Sequence, residues 1–208
     1  MPNLSAARPL VLVLGASAAV GVLLAQFRAV AIGFVLMLIA AFAMRRRWIA
    51  MAYSAPGSPE RALWIGFSAQ VLIGAYLAVS LYGIGPEMQL HTSQVHAFAR
   101  SVWTLVAGAL VAFQIARDPE PRSDERDVAI TQLGNHAGYW VLSMLVLLIL
   151  LGLSFLQQSW VLRLSHAAIS HGLILVLTIT NLVDYGARLH AYLQDRAAQA
   201  ALSPDEPV

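Results

Sequence analysis

No cysteine and no lysine occur in this chain, and only 12% of its 208 residues are charged. Without cysteine there are no disulfides, thiolate nucleophiles, cysteine-ligated iron–sulfur clusters or c-type haem attachment. All 13 basic residues are arginine, which we read as a genomic compositional bias without functional content. The charge deficit is more informative. Soluble domains carry about 25% charged residues. Half that share, with 59% hydrophobic residues and long apolar runs, points to a membrane protein. P-loop, GxSxG, HExxH and glycine-rich dinucleotide signatures are also missing from the sequence. The connections between apolar runs are too short to hold a soluble catalytic domain. The formal net charge is +2, and arginines cluster at segment ends. That distribution suits membrane orientation and argues against a nucleic-acid partner.

An apolar helix of about 20 residues crosses the hydrocarbon core. Six segments qualify: 9–26, 29–44, about 62–82, about 97–116, about 134–156 and about 164–187. The expected fold class is therefore all-α, a polytopic transmembrane bundle of six spans in three hairpins. Residues 1–50 form an N-terminal hairpin, 51–196 a four-helix core with a loop at 117–133, and 197–208 a disordered tail. Ala16-Ser17-Ala18 resembles a signal-peptidase site, but the apolar run continues to Leu24, so the first segment reads as retained. The second segment is short, which allows a tilted or re-entrant first pair. Arg8, Arg45 to Arg47, Arg61, Arg117, Arg122, Arg126, Arg188 and Arg196 fall on one side of this topology, and Arg28, Arg100 and Arg163 on the other. The bias predicts cytoplasmic termini in a bacterial inner membrane. A weak repeat supports hairpin units: "SPER" (58–61) precedes span three and "SDER" (123–126) precedes span five.

Residues 118–130, "DPEPRSDERDVAI", hold seven charged side chains between two apolar segments. The prolines end span four. Ser123 or Asp124 can then cap a new helix, with Asp124, Glu125 and Asp127 at the positive end of its dipole. Arg126 can reach headgroups or a nearby acid. The same four residues, Asp124, Glu125, Arg126 and Asp127, are candidates for docking a partner. "DERDVAI" followed by "GYWVLSMLVLLILLGL" resembles a family of small, uncharacterised bacterial polytopic membrane proteins, marked by an Asp-Glu-Arg-Asp/Glu motif before a transmembrane hairpin. The resemblance covers about 65 residues. It implies membrane location and carries over no catalytic residue.

Two further patterns bear on function. His91, His96, His166 and His171 are all expected near the outer side, with His136 and His190 on the cytoplasmic side. His96 on span four, with His166 or His171 on span six, could hold a b-type haem or a metal. Interfacial histidines bonded to water, headgroups or backbone are the plainer reading, and no cofactor is favoured. Span six carries Ser170, His171, Thr178, Asn181, Asp184 and Arg188 within an arc of about 140°. Thr178, Asn181, Asp184 and Arg188 therefore form a candidate polar lining, expected to face inward against spans four and five. Asp184 and Arg188 stand at i,i+4 spacing. Gly134 and Gly138 form a small-xxx-small pair that permits close helix contact or oligomerisation. At the outer end of span four, Arg100 is expected to reach a headgroup, a quinone carbonyl or Glu87. Three functions stay open: a non-catalytic accessory, regulatory or assembly partner; a small transporter or channel using the span-six polar face; and a haem- or quinone-interacting redox protein.

Overall fold

The computed structural model describes residues 4–51, 57–85, 92–118, 124–155, 157–161 and 164–202. Among them the chain is all-helical: α1 (Leu4–Phe27), α2 (Val30–Met51), α3 (Ser58–Ile84), α4 (Ser93–Ala116), α5 (Glu125–Phe155), the short α6 (Gln158–Val161) and α7 (His166–Leu202). Five of these, α1, α3, α4, α5 and α7, are long and apolar enough to cross a membrane. In α2 only Val30 to Met44 precede the Arg45-Arg46-Arg47 triplet, which is about 22 Å of apolar helix. That falls short of a core about 30 Å thick.

Helix limits follow from local chemistry. Pro59 stands in the first turn of α3, where its missing N–H breaks no helical bond. Gly85 ends α3 at φ +85°, its N–H donating to the Leu81 carbonyl. Thr92 caps α4 by accepting from the Val95 N–H at 3.3 Å. Asp124 caps α5 reciprocally. Its Oδ1 accepts from the Asp127 N–H at 2.9 Å, and Asp127 Oδ2 accepts from the Asp124 N–H at 3.0 Å. This is a capping box built from two aspartates. Inside the apolar stretches, hydroxyls bond the preceding turn. Ser68, Thr104, Ser170, Thr178 and Thr180 each donate to the carbonyl four residues back, which removes the cost of an unpaired polar group.

Helix α3 lies at the centre, against α1, α4 and α7. Phe67, Leu72, Ile73, Tyr76 and Leu77 of α3 are buried, with Leu105 of α4 and Leu189 of α7 completing the fully enclosed positions. Helices α1 and α2 diverge from their turn: α1 packs chiefly on α3 and α2 on α4. Helix α5 rests on α7 and buries only Ile130, Gly134 and Gly138. Its apolar remainder, Met144 to Phe155, is largely exposed, as suits a face in contact with lipid.

One end of the bundle gathers charge. Arg45 donates to the Ile115 carbonyl at 3.1 Å. Arg61 lies 5.6 Å over the Trp48 ring and 3.9 Å from Asp118. Arg126 pairs with Asp195 at 2.8 Å, and Arg196 pairs with Glu60. The sequence repeat has a counterpart here. Arg61 at the start of α3 pairs with an acid just after α4, and Arg126 at the start of α5 pairs with an acid late in α7.

Candidate functional site

The polar face of α7 divides into three parts. Nearest the charged end, α7 runs on past its apolar stretch as a partner for the start of α5. At 37 and 31 residues, α7 and α5 are about 55 and 46 Å long, well beyond a hydrocarbon core about 30 Å thick. The excess forms a two-helix stem. Arg126 Nε donates to Asp195 Oδ2, and its guanidinium lies 5.5 Å from the centre of the Tyr192 ring. The Tyr192 hydroxyl donates to Asp127 Oδ1. Arg196 donates to Glu60, which is 2% exposed and also accepts from Trp64 Nε1 at 3.2 Å. Glu60 thus ties the stem to α3. It went unnoticed in the sequence, since its partner lies 136 residues away.

The four candidate docking residues therefore differ in role. Asp124 and Asp127 build the cap, Arg126 and Asp127 bind α7, and Glu125 is exposed.

The second part is the Asp184–Arg188 pair. Arg188 Nε donates to Asp184 Oδ1 at 2.7 Å, and its Nη2 donates to Asn135 Oδ1 on α5 at 2.8 Å. Both side chains are about 15% exposed. They are seated over Gly134 and Gly138. A Cβ at Gly134 would collide with Asp184 Oδ1 and stand 2.5 Å from Arg188 Cγ and Nε, and one at Gly138 would lie 3.3 Å from Asp184 Cβ. The small-xxx-small pair lets α5 approach an ion pair.

Farther along α7, Thr178 and Asn181 face a groove of about 290 Å³, floored by α3 and flanked by α4. The polar face thus meets α5 and α3, with the groove separating it from most of α4. The Thr178 hydroxyl is engaged by Ile174, and its methyl lies over Gly74. Asn181 on α7 and Gln70 on α3 line the groove, and neither amide has a partner among the described residues. Counted from the ends of the apolar stretches, both lie about 10 Å deep. Gln70 was missed, although a lone amide inside an apolar run is itself a signal.

At the opposite end, His171 Nδ1 donates to the Ala167 carbonyl at 2.7 Å and its ring lies 5.0 Å from Phe98. His96 and His166 are exposed. His136 Nε2 accepts from Trp140 Nε1 at 2.9 Å, and His190 bonds Gln194. His91 and Glu87 lie outside the described residues. No group of three histidine, aspartate or glutamate side chains is arranged to hold a metal ion among the described residues. No family model, curated protein or solved structure matches the chain.

Proposed function

We propose that this chain is a six-span protein of the bacterial inner membrane, with three hairpins and cytoplasmic termini, α2 being a short sixth span whose arginines reach the interface, and that it serves as an accessory, regulatory or assembly partner of another membrane protein. The α5–α7 stem is the observation that supports this reading. It is a helical pair beyond the apolar stretches, its inner charges engaged with one another and Glu125 exposed on its surface. Helix pairs of this kind suit partner recognition through rim charges. The arginine bias argues for a cytoplasmic stem.

The test uses the cysteine-free background. A single Glu125→Cys carrying a crosslinker should trap one defined membrane-protein partner in cells, and Ser93→Cys at the other end should not. The same adducts from both positions, or substrate turnover by purified protein alone, would contradict the proposal.

A second reading, a small transporter or channel, is favoured by Gln70 and Asn181 in the groove, whose amides have no partner among the described residues. Solute flux in liposomes that is lost in Asn181→Leu, with the fold intact, would support it. Flux unchanged in that variant would dismiss it.

A further inference from the structure

We propose that the cavity at the end of the bundle opposite the stem is a binding site for a phosphate-type anion, with Arg28 as its charged ligand. The cavity, about 840 Å³, is framed by the α1–α2 turn, the last turns of α3 and the first turns of α4. Arg28 is the sole charged side chain among its described lining residues. It has no ion pair or hydrogen bond among the described residues.

Arg28 also sits at φ +53°, the one non-glycine residue with positive φ among those described. Left-handed backbone is uncommon outside glycine and asparagine. A tight turn here needs no guanidinium, yet this backbone holds one at the cavity. Arg28 is also one of the three arginines that run against the side bias of the sequence, and an anion at this end supplies a local reason.

The second observation is Tyr76. It is 5% exposed, with its ring stacked 6.4 Å from Phe98. Its hydroxyl has no protein partner among the described residues, and it is not a sealed-off atom. Tyr76 lines the cavity. That accessible hydroxyl is left as a donor for a ligand in the cavity. Ser80, Ser93 and Gln94 add side-chain donors on the same cavity. The start of α4 lies there too. Thr92 engages the N–H groups of Val95 and His96. Those of Ser93 and Gln94 are left at the positive end of the helix dipole.

One guanidinium, several hydroxyl and amide donors, a helix N-terminus and no described acid make a donor-rich, positive cavity. Phosphate oxygens are the acceptors that fit it. The volume exceeds that of a bare ion and admits an esterified phosphate, from a lipid headgroup or from a soluble ester.

The test is native mass spectrometry of delipidated full-length protein, titrated with phosphatidylglycerol and with diacylglycerol as the phosphate-free probe. Wild type should bind phosphatidylglycerol at least tenfold more tightly than diacylglycerol. Arg28→Asn, which keeps a residue suited to left-handed backbone, should lose that preference with unchanged thermal stability. Arg28→Lys should retain most of it, and Tyr76→Phe should weaken binding several-fold. Arg100→Gln should stay within twofold of wild type. Displacement by millimolar inorganic phosphate would identify a soluble phosphate source, and resistance to it a headgroup source; either accords with the site. Equal binding of the two lipids would overturn the proposal. So would wild-type binding by Arg28→Asn, or equal losses in Arg28→Asn and Arg100→Gln.

Discussion

Gly134 of α5 and Asp184 of α7 approach so closely that no side chain fits between them: a Cβ on the glycine would overlap Asp184 Oδ1. The contact holds α5, which otherwise presents an exposed apolar surface. Gly134→Ala should therefore destabilise the protein by about 1–3 kcal/mol through overpacking. Gly172→Ala should do the opposite. It has nothing within 4 Å of an added Cβ, and alanine raises helix propensity by up to about 1 kcal/mol. Thermal unfolding in detergent reads both signs.

The Asp184–Arg188 pair is enclosed, and Asn135 accepts a second bond from Arg188. Removing one partner strands the other charge. Asp184→Leu and Arg188→Leu should each cost about 3 kcal/mol or more. The double variant should cost clearly less than the sum, because neither charge is then left alone. A double-mutant cycle by equilibrium unfolding measures the coupling.

At the start of α5 the charges divide into local and long-range roles. Asp124→Ala removes half of the capping box and should cost about 1 kcal/mol, with faster hydrogen exchange over residues 125–130. Arg196→Ala leaves the Glu60 carboxylate without its guanidinium and should free the end of α7. Glu125→Ala, on the exposed side, should change neither exchange profile.

Much of this arrangement was legible in the sequence, because its causes are local. Asp184 and Arg188 are one helical turn apart, Gly134 and Gly138 share a face, and Asp124 stands where a helix cap is expected. The arginine bias anticipated the charged end. What could not be read depends on distant segments. Nothing near Glu60 points to Arg196, and nothing in α1 or α2 says that they part to pack on α3 and α4. Thr178 lies on the expected face, yet its own helix takes its hydroxyl. An inward arc does not distinguish a donor engaged at i−4 from a free one.

Asn181 offers the reverse case. No protein group among the described residues bonds its amide. Asn181→Leu should therefore leave stability unchanged or raise it, since an apolar side chain removes an unpaired amide from an apolar setting. Melting curves of this variant beside Asp184→Leu make the comparison.

The six-span topology and the cytoplasmic stem rest on which side of the membrane each end occupies. The direct measurement labels single cysteines in intact spheroplasts with a membrane-impermeant maleimide, using Phe27→Cys, Ser93→Cys, Glu125→Cys and Gln199→Cys. Labelling of Phe27→Cys and Ser93→Cys from outside, with Glu125→Cys and Gln199→Cys reacting only after permeabilisation, is the predicted result. Outside labelling of Glu125→Cys or Gln199→Cys, or protection of Phe27→Cys, would contradict the six-span topology with a cytoplasmic stem.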